Sequence, residues 1–166
     1  TDPAIKSKYT LFKEKLAKNY TFNGSKGGKI VQKYTFTSET DTLKLEAYLT
    51  IPEGAYEGDL TFELVFDPNI LSMELHPTPF NFDKPVELTM KYKGIPQDVI
   101  INSNNLDFKY YHPNGSFEEV DYDKIEWDPT ERELKVFRAE LHHFSRYGWT
   151  RKKETLKDDN VIYDEI

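Results

Sequence analysis

Residues whose types could do chemistry converge in one stretch of this sequence, residues 140–149. The stretch holds two of the four histidines, His142 and His143, and Ser145 follows the second of them with one residue between. A serine hydroxyl becomes a useful nucleophile near neutral pH only when a neighbouring base accepts its proton. Residues two apart in a β-strand share a face, so a strand here would let the His143 imidazole and the Ser145 hydroxyl approach one another.

A structural role is the simpler interpretation of the same stretch. Its aromatic residues Phe144, Tyr147 and Trp149 would close the core as part of a last strand over residues 139–149. The histidine and the serine would then hydrogen-bond to the backbone or to each other. Short motifs without supporting geometry are mostly structural, so we expect this role and keep the chemical one as the alternative.

Composition sets the broad class. The chain has 166 residues, which is the size of one domain with a short appendage, and it contains no cysteine, so disulfides, thiolate metal sites and cysteine nucleophiles are excluded. Its net charge is −7, which argues against nucleic-acid binding. No apolar run approaches the length needed to span a bilayer, and we expect no membrane span and no cofactor.

The N-terminal residues 1–20 predict an amphipathic helix. Asp2 is a good N-cap, Pro3 fits the first helical turn, and one apolar stripe follows at helical spacing. The members of the stripe are Ile5, Tyr9, Phe12, Leu16 and Tyr20. We expect this helix to pack on the main domain; a basic segment beside an anionic membrane or a partner helix is the alternative.

Residues 21–150 predict a run of short strands separated by turns, and residues 151–166 a polar, acidic tail. Strict period-two alternation marks strands over residues 43–51, 60–66 and 86–92. Asn114-Gly115 marks one hairpin, and residues 128–131, between strands over residues 125–127 and 133–137, mark another. Prolines at 77, 79 and 85 predict an edge or loop over residues 80–84, and residues 99–101 predict a short strand. Such spacing without intervening helices is typical of an antiparallel β-sandwich.

Three sequence blocks together resemble the ZU5 domain, a β-sandwich known from ankyrins, netrin receptors and a death-domain protein. The first is Leu49-Thr-Ile-Pro-Glu-Gly-Ala55, the second Phe82-Asp-Lys-Pro-Val-Glu-Leu-Thr-Met-Lys-Tyr92, and the third His143-Phe-Ser-Arg-Tyr147. The resemblance covers residues 28–149 and is closest to ZU5-like domains of bacterial secreted proteins and lipoproteins. It implies an interaction or structural module that is secreted, periplasmic or on the outer cell surface, with a cytoplasmic location as the alternative. The implied partner is an unidentified protein or cell-envelope component, and the full-length protein would carry a signal or lipid anchor.

The resemblance also implies one chemical hypothesis. In some related domains a His-Phe-Ser segment cleaves itself between Phe and Ser, which maps here onto the bond between Phe144 and Ser145. Ser145 would be the nucleophile and His143 the base. Such attack needs a distorted peptide, and the fold would have to supply that strain.

Other candidate sites are weaker. His76 and His112 each precede a proline and are expected to be loop residues rather than metal ligands. Acidic residues cluster over residues 118–128, where a calcium site is the alternative to a solvated strand face, but the EF-hand spacing is missing. Glu118 and Glu126 lack a spacing that supports glycoside hydrolysis, although exposed aromatics leave a carbohydrate-binding sandwich as a further alternative.

Overall fold

The structure, a computed structural model, describes residues 11–76, 80–112, 114–143, 145–152 and 163–165. These form two antiparallel sheets. The strands are β1 (Leu16–Asn23), β2 (Gly28–Thr37), β3 (Thr42–Ile51), β4 (Asp59–Asp67), β5 (Ser72–His76), β6 (Asn81–Lys93), β7 (Leu106–Tyr111), β8 (Phe117–Glu119), β9 (Lys124–Asp128), β10 (Glu133–His143), β11 (Arg146–Lys152) and β12 (Tyr163–Glu165). Sheet one has the order β1-β4-β5-β11-β7-β8, with β12 also beside β11, and sheet two has the order β2-β3-β6-β10-β9.

The alternating residues of the sequence form the core, as predicted. The apolar positions of β3 are all at most 3% exposed, while the positions between them face outward or are half-buried. They are Leu43, Leu45, Ala47, Leu49 and Ile51. β4 and β6 show the same alternation. Burying one such leucine or isoleucine stabilises the fold by about 1.5–3 kcal/mol relative to leaving it exposed.

Aromatic side chains join the two sheets. Tyr92 of sheet two packs edge-on against Trp149 of sheet one at 5.9 Å between ring centroids, and Trp149 contacts Phe108 at 5.4 Å. The Tyr92 hydroxyl donates a hydrogen bond to the Ser72 carbonyl oxygen at 3.1 Å. Burial raises the pKa of Tyr92 well above its ordinary value, so this hydroxyl stays a neutral donor. The sandwich class predicted from the sequence is therefore confirmed.

Both predicted hairpin turns are present. Gly115 has a φ of 88° in the connection from β7 to β8, and the His112 N–H bonds the Ser116 carbonyl across it. The side chain of Asp128 accepts hydrogen bonds from the Thr130 and Glu131 amides between β9 and β10. Only glycine adopts the first of these conformations without strain, which is why the sequence identified that turn well.

The predicted N-terminal helix is wrong from residue 11 onward. Residues 11–15 are not helical, and Leu16 begins β1, which pairs with β4 from Leu16 opposite Phe66 to Asn23 opposite Asp59. Leu16 and Tyr20 fit a helical stripe, but a spacing of four also places both on one face of a strand. Pairing with β4 decides between the two. Residues 1–10, with the predicted cap at Asp2, lie outside the described residues.

The predicted single strand over residues 139–149 is also wrong. β10 ends at His143, which pairs with Asn81 in sheet two, and β11 begins at Arg146, which pairs with Glu74 and Tyr111 in sheet one. The chain therefore crosses from one sheet to the other between these residues. Alternating hydrophobicity does not reveal a change of sheet, because both strands contribute one face to the same core.

Residues 81–84, predicted to run along an edge or as a loop, belong to β6 but lie beyond its ladder with β3, which ends at Glu87. Pro85 falls in the irregular register between Val86 and Asn81, where a proline costs no regular ladder bond. Two smaller expectations need correction. Residues 99–101 are not a strand. β11 extends to Lys152 and β12 pairs with it, so these parts of the predicted tail belong to sheet one. Across the described ranges, no helix has the length and apolar character needed to cross a membrane.

Candidate functional site

The corner between β10 and β11 holds the residues that the sequence singled out. His143 is the last residue of β10, and Ser145 lies just before β11. The two residues do not share a strand, so the expectation that they point to one face of a strand is wrong. Phe144, and with it the candidate scissile bond, lies outside the described residues.

Two tyrosines surround the His143 ring. The Tyr110 ring meets it edge-on at 4.2 Å between centroids, and the Tyr147 ring stacks at 6.4 Å. The Tyr147 hydroxyl donates to the His143 carbonyl oxygen at 2.7 Å and lies 3.3 Å from the His143 Nδ1. Burial lowers the pKa of His143, while the Glu118 carboxylate opposes that shift. The imidazole is therefore held in its neutral form, which a general base needs.

Ser145 has different partners. Its hydroxyl donates to the Tyr111 carbonyl oxygen at 3.2 Å, and its own carbonyl accepts from the Leu75 amide at 2.9 Å. The residue is buried, at 9% exposed. Within the described part of the chain, no hydrogen bond joins the Ser145 hydroxyl to the His143 ring. His143 and Ser145 therefore both lie at this corner, but each takes part in a hydrogen bond of structural character with another residue.

The other histidines pair singly with carboxylates. His112 Nε2 lies 3.0 Å from Glu118, and its ring contacts Tyr110 at 4.4 Å, which adds it to the aromatic cluster around His143. His76 Nε2 lies 2.8 Å from Glu74. No group of three or more histidine or acidic side chains that could hold a metal ion is found among the residues that the structure describes.

The acidic stretch of residues 118–128 is divided between the two sheets. Glu118 lies on β8 of sheet one, whereas Glu126 lies on β9 of sheet two and is 2.9 Å from Lys124. Asp123 lies 3.6 Å from Arg138. Glu126 and Asp123 each lie beside a basic side chain, and all three carboxylates are exposed, so the arrangement is that of a solvated surface.

A concave feature lies at the edge strand β2, on the opposite side of sheet two from β9. A cavity of about 630 Å³ lies between residues 11–14 and the end of β2 with its following turn. We call it the β2 groove. Phe12 and Phe36 are buried at its base with their ring centroids 6.4 Å apart, and the half-exposed Tyr34 ring lies 4.8 Å from Phe36.

One wall of the β2 groove is fixed by hydrogen bonds. The Phe12 amide donates to Asn69 Oδ1 at 2.9 Å, and Asn69 Nδ2 donates back to the Phe12 carbonyl at 2.8 Å. Lys15 adds an ion pair with Asp67 at 3.4 Å. The segment that lines the groove is therefore held in place before any ligand arrives, which reduces the entropy lost on binding.

An exposed apolar pair lies on the outer face beside this groove. Val31 of β2 is 56% exposed and stands opposite Tyr48 of β3, which is 40% exposed. The Tyr48 hydroxyl donates to Glu46 at 2.6 Å. Hydrogen bonds from Lys91 and, to a smaller extent, from Tyr48 lower the pKa of Glu46 to about 2. This carboxylate therefore stays charged at neutral pH.

The sequence did not identify this side of the molecule as a site. Tyr34 lies on the same face of β2 as the buried Ile30 and Phe36 but is 37% exposed, because it borders the β2 groove. The signal that could have found it is the adjacent pair Ile30-Val31, which places an apolar side chain on the face that alternation assigns to solvent.

Comparison with known proteins adds no relative. No family model matches the chain, and no curated protein or solved structure matches it either.

Proposed function

We propose that this domain is a non-catalytic protein-interaction module whose contact surface is the open side formed by β2 and β3. One observation carries the proposal. Four large hydrophobic side chains are exposed among the described residues, and three of them, Val31, Tyr34 and Tyr48, lie on these two neighbouring strands. Val31 and Tyr48 stand side by side on the outer face, and Tyr34 borders the β2 groove on the core side. Exposed apolar side chains beside a preformed groove and rimmed by charges are typical of a protein-binding surface.

The proposed setting is the surface or periplasm of a bacterium, where the full-length protein would be secreted or lipid-anchored. The support for this setting is the resemblance of residues 28–149 to ZU5-like domains of bacterial secreted proteins and lipoproteins. The partner would be another protein of the cell envelope.

The experiment compares capture of envelope proteins by three forms of the immobilised domain. The Val31→Thr/Tyr48→Thr double variant removes apolar area at exposed strand positions while keeping good strand formers. We expect it to retain about tenfold less of a specific bacterial envelope protein than the wild type, measured by quantitative mass spectrometry. Ile100→Thr, which changes an exposed hydrophobic residue at another place, is the matched control and should retain the wild-type amount. Equal retention by all three forms would refute the proposal.

A self-cleaving module is the second candidate. One observation favours it: burial keeps the His143 imidazole neutral at the corner next to Ser145. The hydrogen bond from the Ser145 hydroxyl to the Tyr111 carbonyl opposes it, because a reacting hydroxyl would have to leave that partner.

A denaturing gel separates the two candidates. After long incubation at neutral pH, we expect the wild type to run as a single band of 19.5 kDa. The Ser145→Ala variant, which keeps the backbone of the corner, should look the same. Two bands in the wild type that become one in Ser145→Ala would show self-cleavage after Phe144 and would overturn a purely non-catalytic role.

A further inference from the structure

We propose, building on the interaction function above, that the partner binds as an extended segment that adds a sixth strand to the free edge of β2. The segment would carry acidic side chains opposite Lys29 and Lys33 and apolar side chains toward the β2 groove. Addition of a strand to an open sheet edge is a recurrent mode of peptide recognition, in which main-chain hydrogen bonds give affinity and side-chain pockets give specificity.

The free edge of β2 is long and regular. β2 stands at the end of sheet two and pairs with β3 without interruption from Gly28 opposite Ile51 to Thr37 opposite Thr42. It contains no proline, and no described strand pairs with its other side. The edge strands β8 and β9 are only three and five residues long. Natural edges are usually short, bulged or covered, so an edge of ten regular residues is a ready template for another strand.

The β2 groove lies where an added strand would place its inward side chains. Tyr34 and Phe36 project to the core side of β2 at the end that borders the cavity, and Phe12 forms the base. Asn69 holds Phe12 in position by two hydrogen bonds. An incoming segment therefore meets a preformed apolar wall beside unpaired backbone groups. β1, the edge strand of sheet one opposite β8, carries none of the exposed large hydrophobic side chains found in the described residues.

The charges on the outer face indicate which partner fits. Lys29 and Lys33 flank Val31 on that face, and all three are exposed. Lys33 lies 3.6 Å from Glu46 on β3, and Glu46 in turn lies 2.8 Å from Lys91 on β6. Opposite charges thus alternate from strand to strand, and an acidic residue on the added strand would continue the pattern.

A second copy of the chain fits this edge less well. Pairing two β2 strands edge to edge would gather the lysines of both copies on one face, where like charges destabilise the pair. Because Lys29 makes no ion pair with a described residue, it is available to an acidic segment instead.

The test uses the full chain and a synthetic peptide of the sequence Val-Thr-Val-Glu-Thr-Val-Thr-Glu-Thr with a fluorescent label. In antiparallel pairing with β2, its two glutamates lie opposite Lys33 and Lys29, and its first and third residues face Phe36 and Tyr34. One control peptide has both glutamates replaced by lysine. Two further control peptides keep every side chain but carry N-methyl groups on alternate amides. One is methylated on the odd-numbered amides and the other on the even-numbered amides. Because alternate N–H groups of a strand point to opposite sides, one of these two peptides lacks the N–H donors that face β2.

We expect the glutamate peptide to bind at least about tenfold more tightly than the lysine peptide and than one of the two N-methylated versions. Binding should also slow hydrogen exchange of the backbone amides within β2. The Lys29→Glu/Lys33→Glu variant should reverse the preference between the glutamate and lysine peptides. Lys29→Glu alone leaves the pair of Lys33 with Glu46 intact and should give a smaller loss, while Lys18→Glu, the same change on exposed β1, should leave binding unchanged.

Three results would overturn the inference: no measurable binding of the glutamate peptide, equal binding of both N-methylated versions, or unchanged exchange of the β2 amides in the complex. A dimer of the chain that sedimentation detects and that the peptide does not dissociate would assign the edge to a second copy and overturn the inference as well.

If the peptide does not bind while capture of the envelope protein still depends on Val31 and Tyr48, the interaction function stands and strand addition alone is wrong. If capture is also independent of these residues, both proposals fail.

Discussion

Replacing Trp149 by alanine should lower the free energy of unfolding by about 3–5 kcal/mol. The side chain is completely buried and contacts Tyr92 of the opposite sheet and Phe108 of the neighbouring strand. Its removal leaves a cavity between the two sheets, and the surrounding β-ladders limit how far the site can collapse. Denaturation with urea, followed by circular dichroism, measures the difference.

Trp149→Phe is the conservative variant for this experiment. It keeps an aromatic ring and removes a buried indole N–H that has no hydrogen-bond partner among the described residues. An unpaired buried donor is itself unfavourable, so part of the lost packing energy should be recovered. We expect a loss clearly smaller than that of the alanine variant, and Val31→Ala at an exposed position should cost least. A loss for Trp149→Ala no greater than that for Val31→Ala would show that the contact between the sheets is not as described.

The second large effect is expected at Gly94, where the chain leaves β6. Its φ is 89°, and a Cβ atom added there would overlap the carbonyl oxygen of Thr42, the first residue of β3. Gly94→Ala should therefore cost about 1–2 kcal/mol for the left-handed backbone and about 1–3 kcal/mol more for the displaced backbone of its neighbour.

Gly115→Ala isolates the first of these two costs. Gly115 has almost the same φ, 88°, but nothing lies within 4 Å of an added Cβ. We expect thermal and urea denaturation to show the conformational cost alone at Gly115 and the sum at Gly94. If both variants lose the same stability, the close approach of Gly94 to Thr42 makes no energetic contribution.

Local patterns determined most of the strands. The alternation of β3, β4 and β6 follows from a core on one side and water on the other, and a side-chain period of two assigns each side chain to one of these faces. Gly115 and Asp128 allowed the two hairpins to be predicted, because few residue types fit the backbone conformation and hydrogen bonds of those turns. These features depend on residues close together in sequence, which is why the sequence was sufficient for them.

The sequence-based prediction failed where one residue pattern is compatible with two kinds of secondary structure. Leu16 and Tyr20 are four residues apart, which satisfies both a helical stripe and one face of a strand. The partner strand β4 decided the outcome, since its residues from Asp59 to Phe66 pair with every residue of β1 in an antiparallel ladder. Nothing in the sequence of residues 16–20 themselves indicates that β4 will pair with them.

Residues 140–149 show the same division between sequence and tertiary structure. The sequence by itself determined that this stretch supplies buried aromatics, since Tyr147 and Trp149 are at most 1% exposed, and that His143 and Ser145 stand two apart. Only the tertiary structure decided that the chain changes sheets between them, so that Tyr147 bonds the His143 backbone and Tyr111 accepts the Ser145 hydroxyl. It alone also decided that β2 ends a sheet with one side open. Both outcomes depend on which strands meet, and strand partners far apart in sequence are selected by packing of the whole core rather than by local periodicity.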